Sequence, residues 1–164
     1  MRRPIELRPP QVEDAEHVWA LVRDTGVLDL NSSYLYLLLC AHHASTCAVA
    51  LEGDALVGFV SGYRLPDHPD TWFLWQVGVA EAARGRGLAT RLVHEVLDRP
   101  AHADVRWLHT TVAPSNTASR ALFDGVARAL ETDLRVEDGF GPHLFPDAHE
   151  AEELLVLGPF DRST

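Results

Sequence analysis

The sequence predicts an α/β (α+β) fold, a mixed and mostly antiparallel sheet with helices on both faces. Its strand-like and helix-like segments follow the order β, α, α, β, β, β, α, β, α, β, β, which differs from the regular alternation of dinucleotide-binding folds. The 164 residues, 46% apolar and 23% charged, suffice for one continuous hydrophobic core. We therefore expect a single domain over residues 1–164.

The N-terminal part predicts one strand and two helices. IELRP has the composition of a first strand, and apolar side chains recur at helical spacing from Val12 to Val22. A second, strongly apolar helix is predicted from Tyr34 to Ala44. Its N-cap candidates are Asn31, Ser32 and Ser33.

Two apolar, β-branched runs in CAVALEGDALVGFVSGY surround a Gly-Asp turn and predict an antiparallel hairpin. A loop with two prolines is expected from Leu65 to Asp70. TWFLWQVGV then predicts a strand too apolar to have a solvated face.

The remaining segments alternate helices and strands. GRGLATRLVHEVLDR predicts an amphipathic helix, VRWLHTTVAP a strand and SNTASRALFDGVARAL a capped helix. LRV and ELLVL predict two short terminal strands. The side chains expected to point inward from the first of these helices are Leu88, Leu92, Val96 and Leu97.

Composition excludes several classes of protein. There is no lysine among the fourteen basic residues, which removes Schiff-base chemistry and the P-loop and protein-kinase lysines. A net charge of -10 opposes non-specific nucleic-acid binding and favours cationic ligands. MRRPIELRPP carries no apolar run, so we expect neither a signal peptide nor a spanning helix, and a cytoplasmic location. Cys40 and Cys47 lack the spacing of a zinc or redox pair and are expected to be buried thiols.

The sharpest local motif is RGRGLA, residues 84–89, between a predicted strand and a predicted helix. Glycines let successive backbone N–H groups point at one spot, and the helix adds its positive N-terminal dipole, which together make a pyrophosphate cradle. Arg84 and Arg86 can add charge. The alternative is a glycine-rich turn that binds no anion.

Arg84-x-x-Gly87-x-Ala89 after a strand resembles the acyl-CoA signature of the GNAT superfamily of N-acetyltransferases. The resemblance implies a sheet splayed between strands 4 and 5, with acetyl-CoA as cosubstrate and its pantetheine arm in the wedge. It also implies that the Val77 N–H stabilises the oxyanion. The implied cofactor-binding residues are Val77, Gly78, Val79, Arg84, Gly85, Arg86, Gly87, Leu88, Ala89 and Asn116.

Longer blocks resemble the diaminobutyrate acetyltransferases of ectoine synthesis. They are LDLNSSYLYLLLCAHH, GFVSGYRLPDHPDTWFLWQVGV, TTVAPSNTASRALF and FPDAHEAEELL. This resemblance implies acetylation of the γ-amine of L-2,4-diaminobutyrate, a precursor of the osmoprotectant ectoine, by a cytoplasmic homodimer. It implies no nucleic-acid or membrane partner.

The substrate has two amines and one carboxylate. Acidic side chains are needed to bind an amine, and a helix N-terminus favours binding of the carboxylate. The implied substrate-binding residues are Asp29, Asn31, Ser32, Tyr34, Trp75, Glu152 and Glu153, with Ser33 and Glu150 as further candidates. A capping role for Asp29, a core role for Trp75 and a solvated charge run at Glu150 to Glu153 are the structural alternatives.

The proton carriers stay open. His149 is a candidate general base, because imidazole titrates near neutrality, with a structural histidine as the alternative. Many superfamily members use a tyrosine as the acid that protonates the departing thiolate, and here Phe123 stands at that position. His109 stands where relatives tend to have glutamate. His42 and His43 are adjacent and His143 and His149 lie six apart, so neither pair has helical i, i+4 metal spacing, and we expect no metal. The competing functions are acetylation of another small amine or a protein N-terminus, and an inactive acyl-CoA sensor.

Overall fold

The strands and α-helices of the computed structural model follow the order that the sequence predicts. The strands are β1 (Ile5–Arg8), β2 (Ala48–Glu52), β3 (Ala55–Leu65), β4 (His68–Val79), β5 (Trp107–Val112), β6 (Leu134–Phe140) and β7 (Glu152–Leu157). The helices are α1 (Ala15–Thr25), α2 (Ser33–His42), α3 (Leu88–Leu97) and α4 (Thr117–Ala129).

The strands form one sheet in the order β1-β2-β3-β4-β5-β7-β6. β4 pairs with β5 in parallel, from Thr71 opposite Trp107 to Phe73 opposite His109. β1 with β2, β2 with β3, β5 with β7, and β6 with β7 all pair antiparallel. The prediction of a mixed, mostly antiparallel sheet is confirmed.

The structure describes residues 2–162. The described residues divide into a first unit, residues 2–63 and 74–102, and a second unit, residues 64–73 and 103–162. Met1, Ser163 and Thr164, which belong to the predicted domain, lie outside the described residues. The single domain stays a prediction.

Helices cover both faces of the sheet in the first unit. Val49 of β2 belongs to a core formed with buried side chains of α1 and α2. The next residue, Ala50, faces the other side, because a Cβ added at Gly58 would meet the Ala50 Cβ at 3.2 Å and a Leu92 methyl of α3 at 3.1 Å. Gly58 thus permits the close approach of α3, whose four predicted inward residues are all buried.

In the second unit, β7 lies between β5 and β6, and α4 contacts β6. The register between β6 and β7 shifts between Glu137 and Phe140, as at a β-bulge. Gly139 lies in this stretch, and a Cβ there would come within 2.1 Å of the Glu152 carbonyl oxygen. Glycine is therefore required for this approach of β6 to the start of β7. β6 is longer than the predicted LRV.

The predicted loop from Leu65 to Asp70 is wrong. β3 continues to Leu65 and β4 begins at His68, so only Pro66 and Asp67 form the turn. Proline fixes φ at a turn, which makes a two-residue connection feasible here. Pro69 lies inside β4, where its carbonyl oxygen accepts a hydrogen bond from Arg64 Nε.

α2 is the most apolar of the four helices. Ser32 is its N-cap, and the Ser32 Oγ accepts a hydrogen bond from the Leu35 N–H at 3.2 Å. The helix ends at His42, so the predicted helix is confirmed with slightly shifted bounds. No helix within residues 2–162 is long and apolar enough to cross a membrane.

Candidate functional site

The turn between β4 and α3 depends on two glycines. Gly85 has φ 77° and Gly87 has φ 66°, both in the left-handed region that favours glycine. A Cβ added at either would meet no atom within 4 Å, so the space in front of this turn is open. The turn can therefore admit a ligand close to its backbone.

The N-terminus of α3 has no side-chain cap, because Gly87 stands at the N-cap position. α2 and α4, by contrast, are capped by the side chains of Ser32 and Asn116. Leu88 is buried and anchors the first turn of α3, with Ala89 half-buried beside it. The first N–H groups of α3 and its dipole are thus available to an anion.

The two arginines of the turn have different surroundings. Arg84 is exposed, and its Nε donates a long hydrogen bond of 3.4 Å to the Val79 carbonyl. Arg86 forms an ion pair with Glu52 at the end of β2, and both side chains are about three-quarters buried. Glu52, which the sequence analysis did not identify, balances the charge of Arg86 and fixes its position.

β4 alternates in burial between its two faces. Trp72, Leu74 and Gln76 are buried on one face, whereas Trp75 on the other is 38% exposed. Within residues 71–79 only Trp75 is exposed, so the prediction that this strand has no solvated face fails at that one position. Val77 and Val79 are half-buried on the same face as Trp75.

The connection between α1 and α2 is tied to the buried face of β4. Gln76 Nε2 donates to the Asp29 carbonyl at 2.7 Å, and Gln76 Oε1 accepts from the Tyr36 hydroxyl at 3.1 Å. The Asn31 N–H donates to the Tyr36 hydroxyl oxygen at 3.4 Å. Two predicted substrate residues, Asp29 and Asn31, are therefore held next to the strand that carries Trp75.

Other substrate candidates in this region lie at the surface. Asp29 is exposed, and the Tyr34 side chain is 66% exposed. The Ser32 hydroxyl is engaged as the cap of α2.

In the second unit, His149 is firmly oriented. Its ring stacks on Phe145 with a centroid distance of 3.9 Å and an interplanar angle of 10°. His149 Nδ1 lies 2.6 Å from the Glu150 carbonyl oxygen, so Nδ1 carries the proton. Nε2 lies 4.0 Å from Glu152 Oε1. The Nε2 atom of the ring thus points toward an acidic group.

The acidic C-terminal segment contacts β5 and the residues that follow it. The Ser115 hydroxyl donates to the Glu150 carboxylate. Glu153 lies opposite Val112 of β5 and is half-buried. Asn116 caps α4, where its Oδ1 accepts from the Ser119 N–H at 3.1 Å. Its role toward a cofactor stays a prediction, as do the substrate roles of Glu152 and Glu153.

The two departures noted in the sequence have clear surroundings. Phe123 is buried in α4, so no phenol occupies that position. His109 is half-buried, and burial lowers its pKa, an effect to which His68 and Arg135 add and which Glu137 and Asp70 oppose. His109 is therefore neutral at physiological pH.

Both cysteines are buried free thiols, as predicted. Burial raises the pKa of Cys40 to about 12 and that of Cys47 to about 11. Thiolate is the reactive form, so neither residue is a nucleophile in the folded protein. Within residues 2–162, no group of three or more histidine, cysteine, aspartate or glutamate residues could hold a metal ion.

The model of the acetyltransferase (GNAT) family matches residues 13–125. This range contains the turn between β4 and α3, both arginines and the uncapped start of α3. The match therefore covers the open turn and the elements on both sides of it.

Two similar proteins are L-2,4-diaminobutyric acid acetyltransferases. The one from Marinococcus halophilus is 47% identical over 154 residues, covering 93% of this chain and 89% of that protein. The one from Shouchella clausii is 44% identical over 156 residues, covering 94% and 87%. A solved structure is also similar, the diaminobutyrate acetyltransferase of Paenibacillus lautus in complex with its substrate L-2,4-diaminobutyric acid and coenzyme A. It has 42% identity, a TM-score of 0.92 and 99% coverage of each chain.

Proposed function

The chain belongs to the acetyltransferase (GNAT) family, and we propose that within this family it transfers an acetyl group from acetyl-CoA to the γ-amine of L-2,4-diaminobutyrate. One observation carries this proposal. The chain is similar along nearly its whole length to an enzyme solved with that diamine and coenzyme A. The open glycine turn and the uncapped start of α3 support the coenzyme A part of the proposal.

Coenzyme A fits the first unit. Its pyrophosphate needs backbone donors and positive charge, which Gly85 to Ala89 and Arg84 supply. The open space in front of Gly85 and Gly87 allows the phosphates to approach the backbone. Val77 to Val79 continue β4 toward this turn and offer backbone groups to the pantetheine amides. We assign the cofactor contacts to these residues, with Arg86, which Glu52 holds in place, as a further hydrogen-bond donor.

The diamine requires acidic and polar contacts. Asp29 and Asn31 stand on a segment bound to β4, and Trp75 presents an apolar, partly exposed ring from the same strand. Glu152 and Glu153 begin β7 in the second unit. We propose that carboxylates among these groups bind the α-ammonium, and that the N-terminus of α2 near Ser32 and Tyr34 takes the carboxylate.

The amine must lose a proton before it attacks. A primary amine has a pKa of about 10.4, so the free base at neutral pH costs roughly 4 to 5 kcal/mol. Glu152 Oε1, at 4.0 Å from His149 Nε2, would stabilise an imidazolium at this position. We propose His149 as the base and the Val77 N–H as the donor to the oxyanion.

We first predict selective turnover. The purified chain, mixed with acetyl-CoA and L-2,4-diaminobutyrate, should release coenzyme A thiol and yield the γ-acetylated product, identified by mass spectrometry and NMR. Diaminopropionate and ornithine, which differ in length by one methylene, should react more slowly by about ten- to 200-fold. Because Cys40 and Cys47 are buried with raised pKa values, the thiol assay reports coenzyme A alone.

Other outcomes of this experiment are equally informative. Faster turnover of a different amine would keep the acetyltransferase and overturn the diaminobutyrate assignment. Coenzyme A binding without turnover of any amine in a broad panel would favour the alternative of an inactive acyl-CoA sensor, which the Phe123 and His109 departures suggest.

The glycine turn generates a second prediction. Alanine in a left-handed conformation costs about 1–2 kcal/mol, so Gly87→Ala should strain the turn and raise the KM for acetyl-CoA by about tenfold. Gly26→Ala is the matched control. Gly26 has φ 68° and its added Cβ also meets no atom within 4 Å, but it ends α1 rather than the turn. Equal effects of both variants on the KM for acetyl-CoA would contradict the assignment.

The proposed base is tested by His149→Gln. Losing a general base lowers kcat by about 10²- to 10⁴-fold, and the KM for acetyl-CoA should stay unchanged. His143→Gln, in the same segment and exposed, should leave kcat unchanged. A kcat for His149→Gln equal to that of His143→Gln would exclude this role.

We also propose that the chain forms a homodimer through β6. This strand lies at the edge of the sheet, and Val136 and Phe140 on it are 40% and 54% exposed. Edge strands carry unpaired backbone groups that another chain can pair with. Light scattering should give a dimer mass, and Val136→Lys should shift the protein toward monomer, whereas Val12→Lys, at a comparably exposed valine of the first unit, should not. A monomeric wild type would overturn the proposal.

Finally, we propose a cytoplasmic role in osmoprotection, in which the acetylated diamine supplies a separate synthase that forms ectoine. The support is the assigned substrate together with the block resemblances of the sequence. Deleting the gene should abolish ectoine accumulation at high salt, and unchanged ectoine would exclude this role.

A further inference from the structure

A glutamine side chain in the middle of an apolar strand needs an explanation. Gln76 is 6% exposed on the buried face of β4, between Leu74 and Gly78. Burying an amide without partners is costly, yet here both ends of the amide are satisfied. Its Nε2 donates to the Asp29 carbonyl at 2.7 Å, and its Oε1 accepts from the Tyr36 hydroxyl at 3.1 Å. The amide therefore links the strand to the connection between α1 and α2.

Tyr36 supplies the second link. Its side chain is fully buried in α2, and its ring meets Phe59 edge-on at a centroid distance of 6.4 Å. Its hydroxyl donates to Gln76 and accepts from the Asn31 N–H at 3.4 Å. One hydroxyl thus connects the strand with the residue that immediately precedes the cap of α2.

Two further contacts fix the network on β4. The Gln76 N–H donates to the Ser61 hydroxyl of β3 at 3.2 Å, and Ser61 is fully buried. A Cβ added at Gly78 would lie 3.0 Å from a Leu28 methyl, so the segment also packs closely over Gly78. Gln76 and Gly78, two residues apart on one face of the strand, together dock residues 28–31.

We propose that Gln76 and Tyr36 are positioning residues that hold residues 29–31 in place for the amine substrate. This inference rests on the proposed function, in which Asp29 and Asn31 contact the diamine. Trp75 and Val77 flank Gln76 on the same strand. The same stretch of backbone therefore fixes the position of residues 29–31 and that of the residues proposed to face the thioester. The amide of Gln76 keeps these two parts in register, although it faces away from Trp75 and Val77.

Loss of this network should affect the binding of the diamine and not that of acetyl-CoA. A displacement of a bound group by about 1 Å can cost about 100-fold in rate, and diamines that differ by one methylene differ in reach by about that distance. Loosening residues 29–31 should therefore weaken diamine binding and discrimination by length. The glycine turn, which lies at the other end of β4, should keep its affinity for acetyl-CoA.

The test compares Tyr36→Phe and Gln76→Met with Thr46→Val. The first two variants keep the buried volume and remove the hydrogen bonds of the network. Thr46→Val removes another buried hydroxyl of the first unit, whose Oγ1 lies 2.6 Å from the Gly62 carbonyl oxygen, and so reproduces a comparable loss of stability. Steady-state kinetics with each substrate and amide hydrogen exchange at residues 29–31 are measured for all three.

We expect Tyr36→Phe and Gln76→Met to raise the KM for the diamine by about tenfold or more and to speed exchange at residues 29–31 by a similar factor. The KM for acetyl-CoA should change little, and the preference for diaminobutyrate over ornithine should fall. Thr46→Val should change none of these quantities. Kinetic effects no larger than those of Thr46→Val, or unchanged exchange at residues 29–31, would overturn the inference.

The proposed function is tested by a different result: if the wild type does not turn over diaminobutyrate, that function is wrong. In that case the exchange measurement still decides whether the network holds residues 29–31, and the KM comparison is made with the amine that the wild type does acetylate. If no amine is acetylated, the positioning role for an amine falls with the function.

Discussion

The proposed use of coenzyme A depends on one backbone constraint, the left-handed turn between β4 and α3. Residues with a Cβ are disfavoured at the φ angles of Gly85 and Gly87, so the chain has glycine there and leaves the N-terminus of α3 without a capping side chain. A Cβ added at either glycine would meet no atom within 4 Å, so the space beside this turn is open. The proposed pyrophosphate site thus rests on local backbone geometry before any charged side chain contributes.

Much of this architecture could be predicted because its signals are local. The apolar spacing of α3, the Ser32 and Asn116 caps and the Gly53 turn all act within a few residues. The strand-to-helix glycine motif is equally local, so the sequence located the turn correctly. The loop predicted from Leu65 to Asp70 was wrong because neither proline breaks a strand here: Pro66 lies in a turn of two residues and Pro69 lies inside β4.

The contacts that could not be predicted join distant parts of the sequence. Gln76 and Tyr36 are 40 residues apart, and Arg86 and Glu52 are 34 apart. A glutamine in an apolar strand and a glutamate in a hairpin carry no sequence signal that names their partners. Burial makes such partners necessary, because an unsatisfied amide or an isolated charge costs free energy, but only the fold decides which residues meet.

The buried Phe123 is compatible with acetyl transfer when the protons are counted. The ammonium form of the amine loses one proton to the base before attack, and the attacking nitrogen then carries a second proton that the amide product does not keep. The departing thiolate needs one proton, so the proton from nitrogen balances it without a phenol. The proposed base, His149, would serve both steps if it passes the first proton to solvent, then takes the second from the nitrogen and gives it to the thiolate, while Nδ1 stays bound to the Glu150 carbonyl.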